Sequence, residues 1–380
     1  YCLVEQEGDG ELVVRNLGSG AEFRHARGKD PVITADGRFV VFTIVPPIAE
    51  VDKAKKDKKK PEDMPKNGLG IMTLADGKVT TIDQVKSFKV PALGASRVAY
   101  LKAEGKRQKA EGEKAEAGSQ KPEAKKKDPG TDFVIRELAT GVETTVAEVG
   151  QYEWNRQGSW LAYGVSSAQA ANDGAFARNA QDGSVITLLK GQGHYKSFAF
   201  DEAGRQLAFV SDQAEYGKDA SPYRLYHWST GQQAVAELVT PATAGMPEGY
   251  AVSEHGRLQF SKDGARLFAG TAPRPEAPPG DDAPTPIDVD LWHYKDPLLQ
   301  TMQDVRADDE RERSYRAVVH LKDKRFVQLA LPDMPQVEAG DDPSVVLGES
   351  NVPYQELIFW DSSYDDVFVV NVATGKGTPV

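Results

Sequence analysis

The 380-residue chain has 46 basic and 57 acidic residues, a formal net charge of −11 at pH 7 and a hydrophobic content of 39%. With 35 glycines, this apolar share supports a sizeable core and excludes a disordered chain, and the acidic balance argues against nucleic acid or another polyanion as the partner. The single cysteine, Cys2, excludes an internal disulfide and a cysteine-based zinc site but leaves the compartment open.

The beginning of the chain contains no targeting or membrane signal. Its first residues, YCLVEQEGDG, have neither the basic nor the apolar region of a signal peptide and no initiator Met, so we expect a mature form or, preferably, an internal fragment. The longest apolar run, FVVFTIVPPIA at residues 39–49, is interrupted by Pro46 and Pro47 and is too short to cross a bilayer. We therefore expect no membrane span.

Four segments repeat one pattern around a glycine. They read VITADGRFVVF, EWNRQGSWLAY, FDEAGRQLAFV and FSKDGARLFAG, with Gly37, Gly158, Gly204 and Gly264 at the repeated position. An apolar residue stands four positions before each glycine, and others stand three and five positions after it. Two apolar strands joined at a glycine that can adopt positive φ predict a β-hairpin, here called the first-type hairpin.

A second pattern alternates with the first and ends at six other glycines. These are Gly20, Gly77, Gly141, Gly183, Gly231 and Gly375. In every copy the residues eight, six and three positions before the glycine are apolar. Residues two apart share one face of a strand and the odd step marks a bend into a turn, so this pattern predicts a second-type hairpin. Residues 317–331, AVVHLKDKRFVQLAL, form a copy that lacks the glycine.

The alternation gives four strands per unit and predicts the fold class. Removing three excursions, residues 46–66, 102–130 and 272–313, leaves 288 of the 380 residues, or about 41 for each of seven units, which is the size of a propeller blade. A sheet this small cannot bury both faces alone, so it must pack on its neighbours. We predict an all-β fold over residues 1–380, a β-propeller of about seven four-stranded blades that need not be complete. A β-sandwich is the weaker alternative.

The excursions differ in composition. Residues 51–66 hold seven Lys against four acids, and residues 102–128 hold nine basic residues against six acids, with no aromatic residue in either. Nucleic-acid binding would favour a single-sign patch with stacking aromatics, so we expect solvated, mobile loops and no nucleic-acid partner. The third excursion begins Pro-rich and is helix-compatible from about Pro297 to Arg313. It is the first segment to inspect for contacts with another domain.

No metal or cofactor site is expected. The six histidines lack the spacing of a helical metal motif and are expected to be structural; they are His25, His194, His227, His255, His293 and His320. The acid clusters lack the glycine and spacing of an EF-hand loop and are expected to be solvated turns. They comprise Asp281 and Asp282, Asp308 to Glu310, Asp341 and Asp342, and Asp365 and Asp366.

No catalytic residue is assigned in this chain. The strings GASRV at 94–98 and GESNV at 348–352 lack the closing glycine of a G-x-S-x-G nucleophile elbow, and neither precedes a helical pattern. A P-loop and a dinucleotide-binding fingerprint are also absent from the sequence.

The repeated Asp-Gly hairpin resembles the repeat of TolB and tricorn-type propellers. Four longer segments are more specific: EGDGELVVRNL at 7–17, KKKPEDMPKNGLGI at 58–71, DVDLWHYKDPLLQTMQ at 288–303 and YRAVVHLKDKRFVQLA at 315–330. Taken together, over most of the chain, they resemble the N-terminal propeller region of bacterial prolyl oligopeptidase family serine peptidases, of the dipeptidyl-peptidase and acylaminoacyl-peptidase kind.

This resemblance implies a function and a partner domain. It implies a C-terminal α/β-hydrolase domain bearing Ser, Asp and His, absent from this chain, and a propeller that caps its active site and admits peptides. Because the chain opens in the later part of a unit and closes just after a second-type hairpin, we expect missing segments at both ends. The resemblance favours a periplasmic or secreted protein and leaves the cytoplasm open.

The leading hypothesis is a non-catalytic propeller that gates and orients peptide substrates for that hydrolase domain. The alternative is a self-contained, TolB-like propeller that binds a protein partner without catalysis. In dipeptidyl-peptidase relatives, acids from a propeller excursion anchor the substrate's amino terminus. Asp308, Asp309, Glu310 and Glu312 form the one cluster placed for that role, although they do not match the motif itself. Charge pairing on a helix surface, such as Asp309 with Arg313, is the interpretation we favour for them.

Overall fold

A computed structural model of the chain describes residues 9–94, 97–103, 129–218, 220–274, 293, 296–340 and 344–380, and the backbone of Cys2–Val4. Most of the regular secondary structure in the described residues is antiparallel β-strand, which confirms the predicted all-β class. The chain divides into two compact parts, Tyr1–Thr187 and Leu188–Val380.

The N-terminal part begins with two small sheets. Sheet 1 consists of β1 (Cys2–Val4), β2 (Glu11–Arg15) and β3 (Glu22–Ala26), and sheet 2 of β4 (Gly28–Ile33), β5 (Phe39–Ile44), β6 (Gly68–Thr73) and β7 (Val79–Ile82). A seven-stranded sheet follows, with β8 (Val85–Lys89), β9 (Arg97–Lys102), β10 (Thr131–Glu137), β11 (Glu143–Trp154), β12 (Trp160–Val165), β13 (Gly174–Asn179) and β14 (Val185–Lys190). The N-terminal part ends within β14.

The seven-stranded sheet consists of two four-stranded halves that share the long strand β11. Residues 143–146 of β11 pair with β10, whereas residues 151–154 pair with β12. Between these stretches Glu148 adopts a φ of 56°, and the register shifts in both ladders. The bend therefore redirects the strand from one ladder to the next. We count β8 to β11 as sheet 3 and β11 to β14 as sheet 4.

The C-terminal part contains three further sheets. Sheet 5 consists of β15 (Tyr195–Phe200), β16 (Gln206–Ser211), β17 (Arg224–Ser229) and β18 (Ala236–Val239). Sheet 6 consists of β19 (Tyr250–Val252), β20 (Gln259–Phe260), β21 (Arg266–Pro273), β22 (Tyr315–His320) and β23 (Arg325–Gln328), where β19 and β20 both pair with β21. Sheet 7 consists of β24 (Gln336–Glu338), β25 (Val345–Ser350), β26 (Asp366–Asn371) and β27 (Gly377–Pro379).

The predicted first-type hairpins are confirmed. Their glycines stand at the same corner of sheets 2, 4, 5 and 6, between the first and second strands, with φ of 65°, 67°, 68° and 66° for Gly37, Gly158, Gly204 and Gly264. Each donates its N–H to the carbonyl three residues earlier at 2.8–3.0 Å. A non-glycine residue would be strained at such φ values, which explains why glycine recurs.

A polar side chain completes each first-type turn, and the sequence patterns did not indicate it. The residue three positions before the glycine is Thr34, Asn155, Asp201 or Ser261. Its side-chain oxygen accepts the N–H of the first residue of the following strand at 2.8–3.1 Å. The four turns are therefore equivalent in side-chain chemistry as well as in backbone conformation.

The second-type hairpins are also confirmed, and they join the last two strands of their sheets. Their six glycines have φ between 71° and 91°. In sheet 6, where the pattern lacks a glycine, Lys324 takes the left-handed conformation with φ 54°. Not every apolar position of the pattern reaches a core, because Leu17, Val367 and Val369 are 70%, 37% and 41% exposed.

Consecutive sheets within each part share their apolar faces. In β5, Val40 packs with Val14 of sheet 1, whereas the adjacent Val41 packs with Val98 of sheet 3. Further core clusters lie between sheets 3 and 4, sheets 5 and 6, and sheets 6 and 7. Because successive strand residues point to opposite faces, one strand contributes to two cores. A thin sheet thereby buries both of its faces.

Sheet 7 has a core on one face only within the described residues. Val346 and Val370 pack on sheet 6. On the opposite face Leu347, Val367 and Val369 are 45%, 37% and 41% exposed. In sheets 1, 2, 3 and 5 the residues at the equivalent second-type positions pack against the next sheet along the chain. The exposed residues thus occupy the positions that pack against a following sheet in sheets 1, 2, 3 and 5.

The two α-helices of the described residues lie in the first and third excursions. Residues 46–66 were expected to form a loop but contain α1 (Ile48–Lys56) and a 3₁₀ turn at Pro61–Asp63. The nine residues of α1 include three Lys and two Ala, which favour helix, and the burial of Ala54 fixes α1 against the protein. The helix-compatible stretch of the third excursion forms α2 (Gln300–Arg311). Short 3₁₀ helices occupy Ala170–Asn172, Gln213–Glu215 and Val352–Phe359.

Some expectations fall on segments that are not described. Residues 104–128 of the second excursion, 275–292 of the third, and the acid pairs Asp281–Asp282 and Asp341–Asp342 lie outside the described residues. In the part of the chain that is described, neither helix combines the length and apolar character needed to cross a bilayer.

Candidate functional site

The long connections all lie at one end of their sheets. In an antiparallel meander the first-to-second and third-to-fourth turns share one end, and the second-to-third connection lies at the other. Both glycine hairpin types occupy the first end. The connections from the second to the third strand leave and re-enter their sheets at the other end, which we call the insertion end; they follow β5, β9, β12, β16, β21 and β25. Loops of this kind carry binding groups on a rigid scaffold.

In the C-terminal part, polar groups from four segments meet at the insertion end. They come from the start of β15, the connection that begins at Asp212, the break between β19 and β20, and the residue that follows α2. We call this group the Glu254 cluster. It comprises His194, Lys196, Asp212, Tyr223, Glu254, His255 and Glu312.

Glu254 is the centre of this cluster. Its Oε2 accepts hydrogen bonds from the Lys196 ammonium and, at 2.9 Å, from the Tyr223 hydroxyl. Burial acts to raise the pKa of Glu254 and is the largest influence, but the hydrogen bond and charge of Lys196 and the hydrogen bond of Tyr223 together lower that pKa below its ordinary value. Glu254 is therefore a carboxylate at neutral pH.

Tyr223 is held as a neutral donor. Burial, followed by the charges of Glu254 and Asp212, raises the pKa of the Tyr223 hydroxyl far above its ordinary value. The phenol keeps its proton and can only donate to Glu254. The Lys196 ammonium also stands over the Tyr223 ring, 6.0 Å from its centroid.

A histidine lies between two carboxylates. His255 Nε2 is 3.7 Å from Glu254 Oε1, and His255 Nδ1 is 3.6 Å from Glu312 Oε2. Both separations exceed a hydrogen bond, so the imidazole neutralises neither carboxylate unless it is protonated. Glu254 Oε1 and the Glu312 carboxylate accept no hydrogen bond from any described residue.

A second histidine of the cluster, His194, is held by Asp212. The His194 backbone N–H donates to Asp212 Oδ1 at 2.7 Å, and the ring Nδ1 lies 2.9 Å from Asp212 Oδ2. The Asp212 side chain is buried. This pairing fits the structural role expected for the histidines, as does the contact of His227 Nε2 with Gln206 Oε1 at 3.0 Å.

The four acids predicted to bind substrate, Asp308, Asp309, Glu310 and Glu312, do not form one group in the structure. Asp308 and Glu310 pair on the surface of α2, with Arg311 and Arg313 three residues ahead. The expected kind of pairing is therefore present, but Arg313 pairs with Glu310 instead of Asp309. Asp309 belongs to α2, a helix in which no residue is buried. Of the four acids, only Glu312 approaches the Glu254 cluster.

Sequence reasoning missed Lys196, Tyr223 and Glu254. They are up to 58 residues apart, and only the pairing and stacking of sheets 5 and 6 bring them together. One signal was present, because the residues ten positions before the first-type glycines are all polar. They are Arg27, Glu148, His194 and Glu254. All four stand at or beside the insertion end. The apolar strand pattern does not require a polar residue at this position, so its recurrence was a signal of the site.

The other sequence candidates have ordinary structural roles. Ser350 of the string GESNV is buried, and its hydroxyl donates to the Asp333 carbonyl at 2.6 Å. Asp366 accepts the Tyr354 hydroxyl at 2.8 Å. Among the described residues, no group of three or more His, Cys, Asp or Glu side chains could hold a metal ion.

Comparison with known proteins gives structural neighbours only. No protein-family model and no curated protein matches the sequence. A prolyl endopeptidase structure covers 98% of this chain and 46% of its own, with 14% identity and a TM-score of 0.45. The β-propeller domain of the Trilobed protease from Pyrococcus furiosus covers 97% of this chain and 88% of its own, with 10% identity and a TM-score of 0.38.

An acylaminoacyl peptidase in complex with Z-Gly-Gly-Phe-chloromethyl ketone covers 97% of this chain and 47% of its own, with 9% identity and a TM-score of 0.39. The chain thus spans about half the length of the two peptidases. The solved structures are of the kind that the sequence resemblance named. At such identities and TM-scores, the likeness says nothing about substrate or activity.

Proposed function

We propose that sheets 1 to 7 are the blades of a β-propeller. The support is internal to the chain. All seven sheets have the second-type hairpin, without its glycine in sheet 6, and sheets 2, 4, 5 and 6 also have the first-type hairpin. Consecutive sheets within each compact part share apolar faces. A radial arrangement is the ordinary way for such thin sheets to bury both faces.

We further propose that this propeller is a non-catalytic, peptide-handling domain of a serine peptidase. The propeller then gates and orients peptides for an α/β-hydrolase domain outside this 380-residue chain. The observation that carries the proposal is the Glu254 cluster, where the carboxylates of Glu254 and Glu312 flank His255 and retain oxygens that accept no hydrogen bond from the described residues. This placement suits a group that receives a ligand, because the scaffold fixes the acids and leaves them accessible.

The chemistry of the cluster favours a positively charged ligand group. Glu254, Glu312 and Asp212 supply three carboxylates against one lysine, Lys196, so the cluster is net negative with the histidines neutral. The α-ammonium of a peptide offers three donors, and Glu254 Oε1 and the Glu312 carboxylate, which accept no hydrogen bond within the described chain, can receive them. Glu312 therefore remains in the proposed substrate site, now joined by Glu254.

Peptide binding to the 380-residue chain tests this site. A fluorescent tripeptide with a free amino terminus should bind several-fold more tightly than its N-acetylated form, because a charge-assisted hydrogen bond is worth about 1–3 kcal/mol. Glu254→Gln and Glu312→Gln should each reduce that preference. Glu310→Gln, which alters an acid already paired with Arg313, is the matched control. Equal binding of the free and acetylated peptides would contradict the proposed anchor.

Labelling with a fluorophosphonate probe tests the non-catalytic assignment separately. We expect no labelling of the 380-residue chain and labelling of a longer product of the same gene that includes a hydrolase domain. A gene that encodes no such domain would instead favour the self-contained binding propeller.

A further inference from the structure

The N-terminal part contains a cavity that the proposed peptide site does not use. It has a volume of about 380 Å³ and lies at the insertion end of sheet 2, between the strand ends and the first excursion. Its apolar walls are Val45, Pro46, Ile48, Val51 and Pro65. Lys29 and Asn67 are the polar side chains that line it. The volume is within the range of small-ligand sites, about 300–1,000 Å³.

The walls of this cavity are held in place. Pro46 and Pro65 fix the backbone where the chain leaves β5 and before it reaches β6. The Val45 N–H donates to the Arg27 carbonyl at 3.0 Å, and the Arg27 guanidinium donates to the Val45 carbonyl at 3.2 Å. A ligand would therefore meet a largely preformed site.

Lys29 is the only charged residue among the described lining residues, and it has no carboxylate partner in the described chain. Its backbone position is set by a bulge. The next residue, Asp30, adopts a φ of 48°, and the register of β4 on β5 shifts between Lys29 and Val32. The bulge aims the lysine at the insertion end instead of along the ladder.

The repeat provides a direct comparison for this lysine. Lys29 and Lys196 both stand eight residues before a first-type glycine, and both are followed by a left-handed residue, with φ of 57° at Ser197. The register of β15 shifts in the same way, between Lys196 and Ala199. In sheet 5 this bulge presents a lysine to a carboxylate, because Lys196 pairs with Glu254. In sheet 2 the same bulge presents Lys29 to an apolar cavity.

We propose that the cavity beside Lys29 binds a small ligand with an apolar body and one carboxylate. The apolar body occupies the space between Val45, Val51 and Pro65, and the carboxylate pairs with Lys29 as Glu254 pairs with Lys196. At about 30 Å³ for each water-sized group, the cavity holds about a dozen such groups. An aromatic or branched monocarboxylate, free or as the last residue of a peptide, has this size. The proposal does not depend on the peptide site of the C-terminal part.

Ligand-observed NMR on the full chain tests this inference with defined probes. We expect 4-phenylbutyrate to bind and 4-phenylbutanol, which has the same body without the charge, to bind more weakly. Lys29→Gln should weaken binding of the carboxylate by about three- to fivefold, as expected for a solvent-exposed charge pair, and leave the alcohol unaffected. Lys29→Arg should restore the preference. Lys53→Gln, on the exposed surface of α1, is the matched control.

A second variant, Val51→Glu, separates a loss of binding from a loss of folding. Val51→Glu places a negative charge in the cavity wall, so it should abolish carboxylate binding while the far-UV circular dichroism and Tm stay near those of the parent chain. N-acetyl-Ala-Phe and its carboxamide distinguish a peptide carboxyl terminus from a free acid as the source, and binding of either carboxylate supports the site. Equal affinity for 4-phenylbutyrate and 4-phenylbutanol, or an unchanged preference in Lys29→Gln, would overturn it.

Discussion

A matched pair of valine truncations tests the shared-face packing of the sheets. Val14 and Val369 both stand six residues before a second-type glycine, in equivalent strands of sheets 1 and 7. Val14 is fully buried between sheets 1 and 2, whereas Val369 is 41% exposed on the outer face of sheet 7. Substituting alanine removes the same two methyl groups at each position and carries the same loss of strand propensity. The difference between the two variants therefore isolates the burial by a neighbouring sheet.

The expected magnitudes follow from that burial. At about 0.8 kcal/mol per buried group, Val14→Ala loses roughly 1.6 kcal/mol of transfer free energy, and the cavity left behind brings the cost to about 2–3 kcal/mol. Val369→Ala should cost about 1 kcal/mol or less, because the site is open to water and retains no cavity. For compact parts of 150–250 residues, 1 kcal/mol shifts Tm by about 2–4 °C.

Thermal unfolding followed by far-UV circular dichroism should therefore show a loss of about 4–12 °C for Val14→Ala and at most about 4 °C for Val369→Ala. Hydrogen exchange read by mass spectrometry assigns each loss to its own compact part, which matters because the two parts need not unfold together. Equal Tm losses, or a larger loss for Val369→Ala, would refute the argument that a following sheet buries the second-type positions.

Three further predictions follow from the turns and from Glu254. Gly37→Ala should lower the free energy of unfolding by about 1–2 kcal/mol, because Ala is strained at a φ of 65°, whereas no atom beyond the adjacent residues lies within 4 Å of the added Cβ. Gly217 is equally open but lies outside the left-handed region, so Gly217→Ala is the control. Urea unfolding measures both variants. Asp201→Ala should lower the free energy of unfolding by about 1–3 kcal/mol, because the Arg205 and Gln206 N–H groups lose their acceptor. Asp201→Asn reproduces the Asn155 turn and should retain most of the stability. Similar losses for the two variants would exclude the side-chain cap. The pKa of Glu254 is lowered below its ordinary 4.5, so its carboxylate stabilises the fold above pH 4.5, and this contribution is lost as the pH falls through the lowered pKa. Glu254→Gln should therefore flatten the acid side of a plot of Tm against pH. An unchanged profile would show that Lys196 and Tyr223 do not stabilise the carboxylate.

Periodicity in the sequence was sufficient for the strands and the glycine turns. Gly37 and Gly204 could be aligned because glycine adopts their φ values without strain, so glycine recurs at this turn position in the sequence. The alternation of apolar residues fixed the faces, as Val40 and Val41 show. Where another residue adopts the left-handed conformation, as Lys324 does, the sequence has no glycine at the turn and only the flanking strands indicate the hairpin.

The helix α1 and the Glu254 cluster were not predictable from the same patterns. Lysine-rich segments form helix or loop according to whether a residue such as Ala54 finds a surface to pack on, and that surface belongs to distant strands. Lys196, Tyr223 and Glu254 meet because β15, β17 and β19 begin at one sheet end. Composition marks none of them, since each is a single polar residue beside an apolar strand.

Methyl NOEs offer the most direct test of the central claim that each thin sheet shares its two faces with different neighbours. On a valine- and leucine-labelled sample, the account predicts cross-peaks from Val40 to the methyls of Leu12 and Val14, and from the adjacent Val41 to the methyls of Leu69 and Val98, with none from Val41 to Val14. Cross-peaks that place Val40 and Val41 in one common core would contradict it.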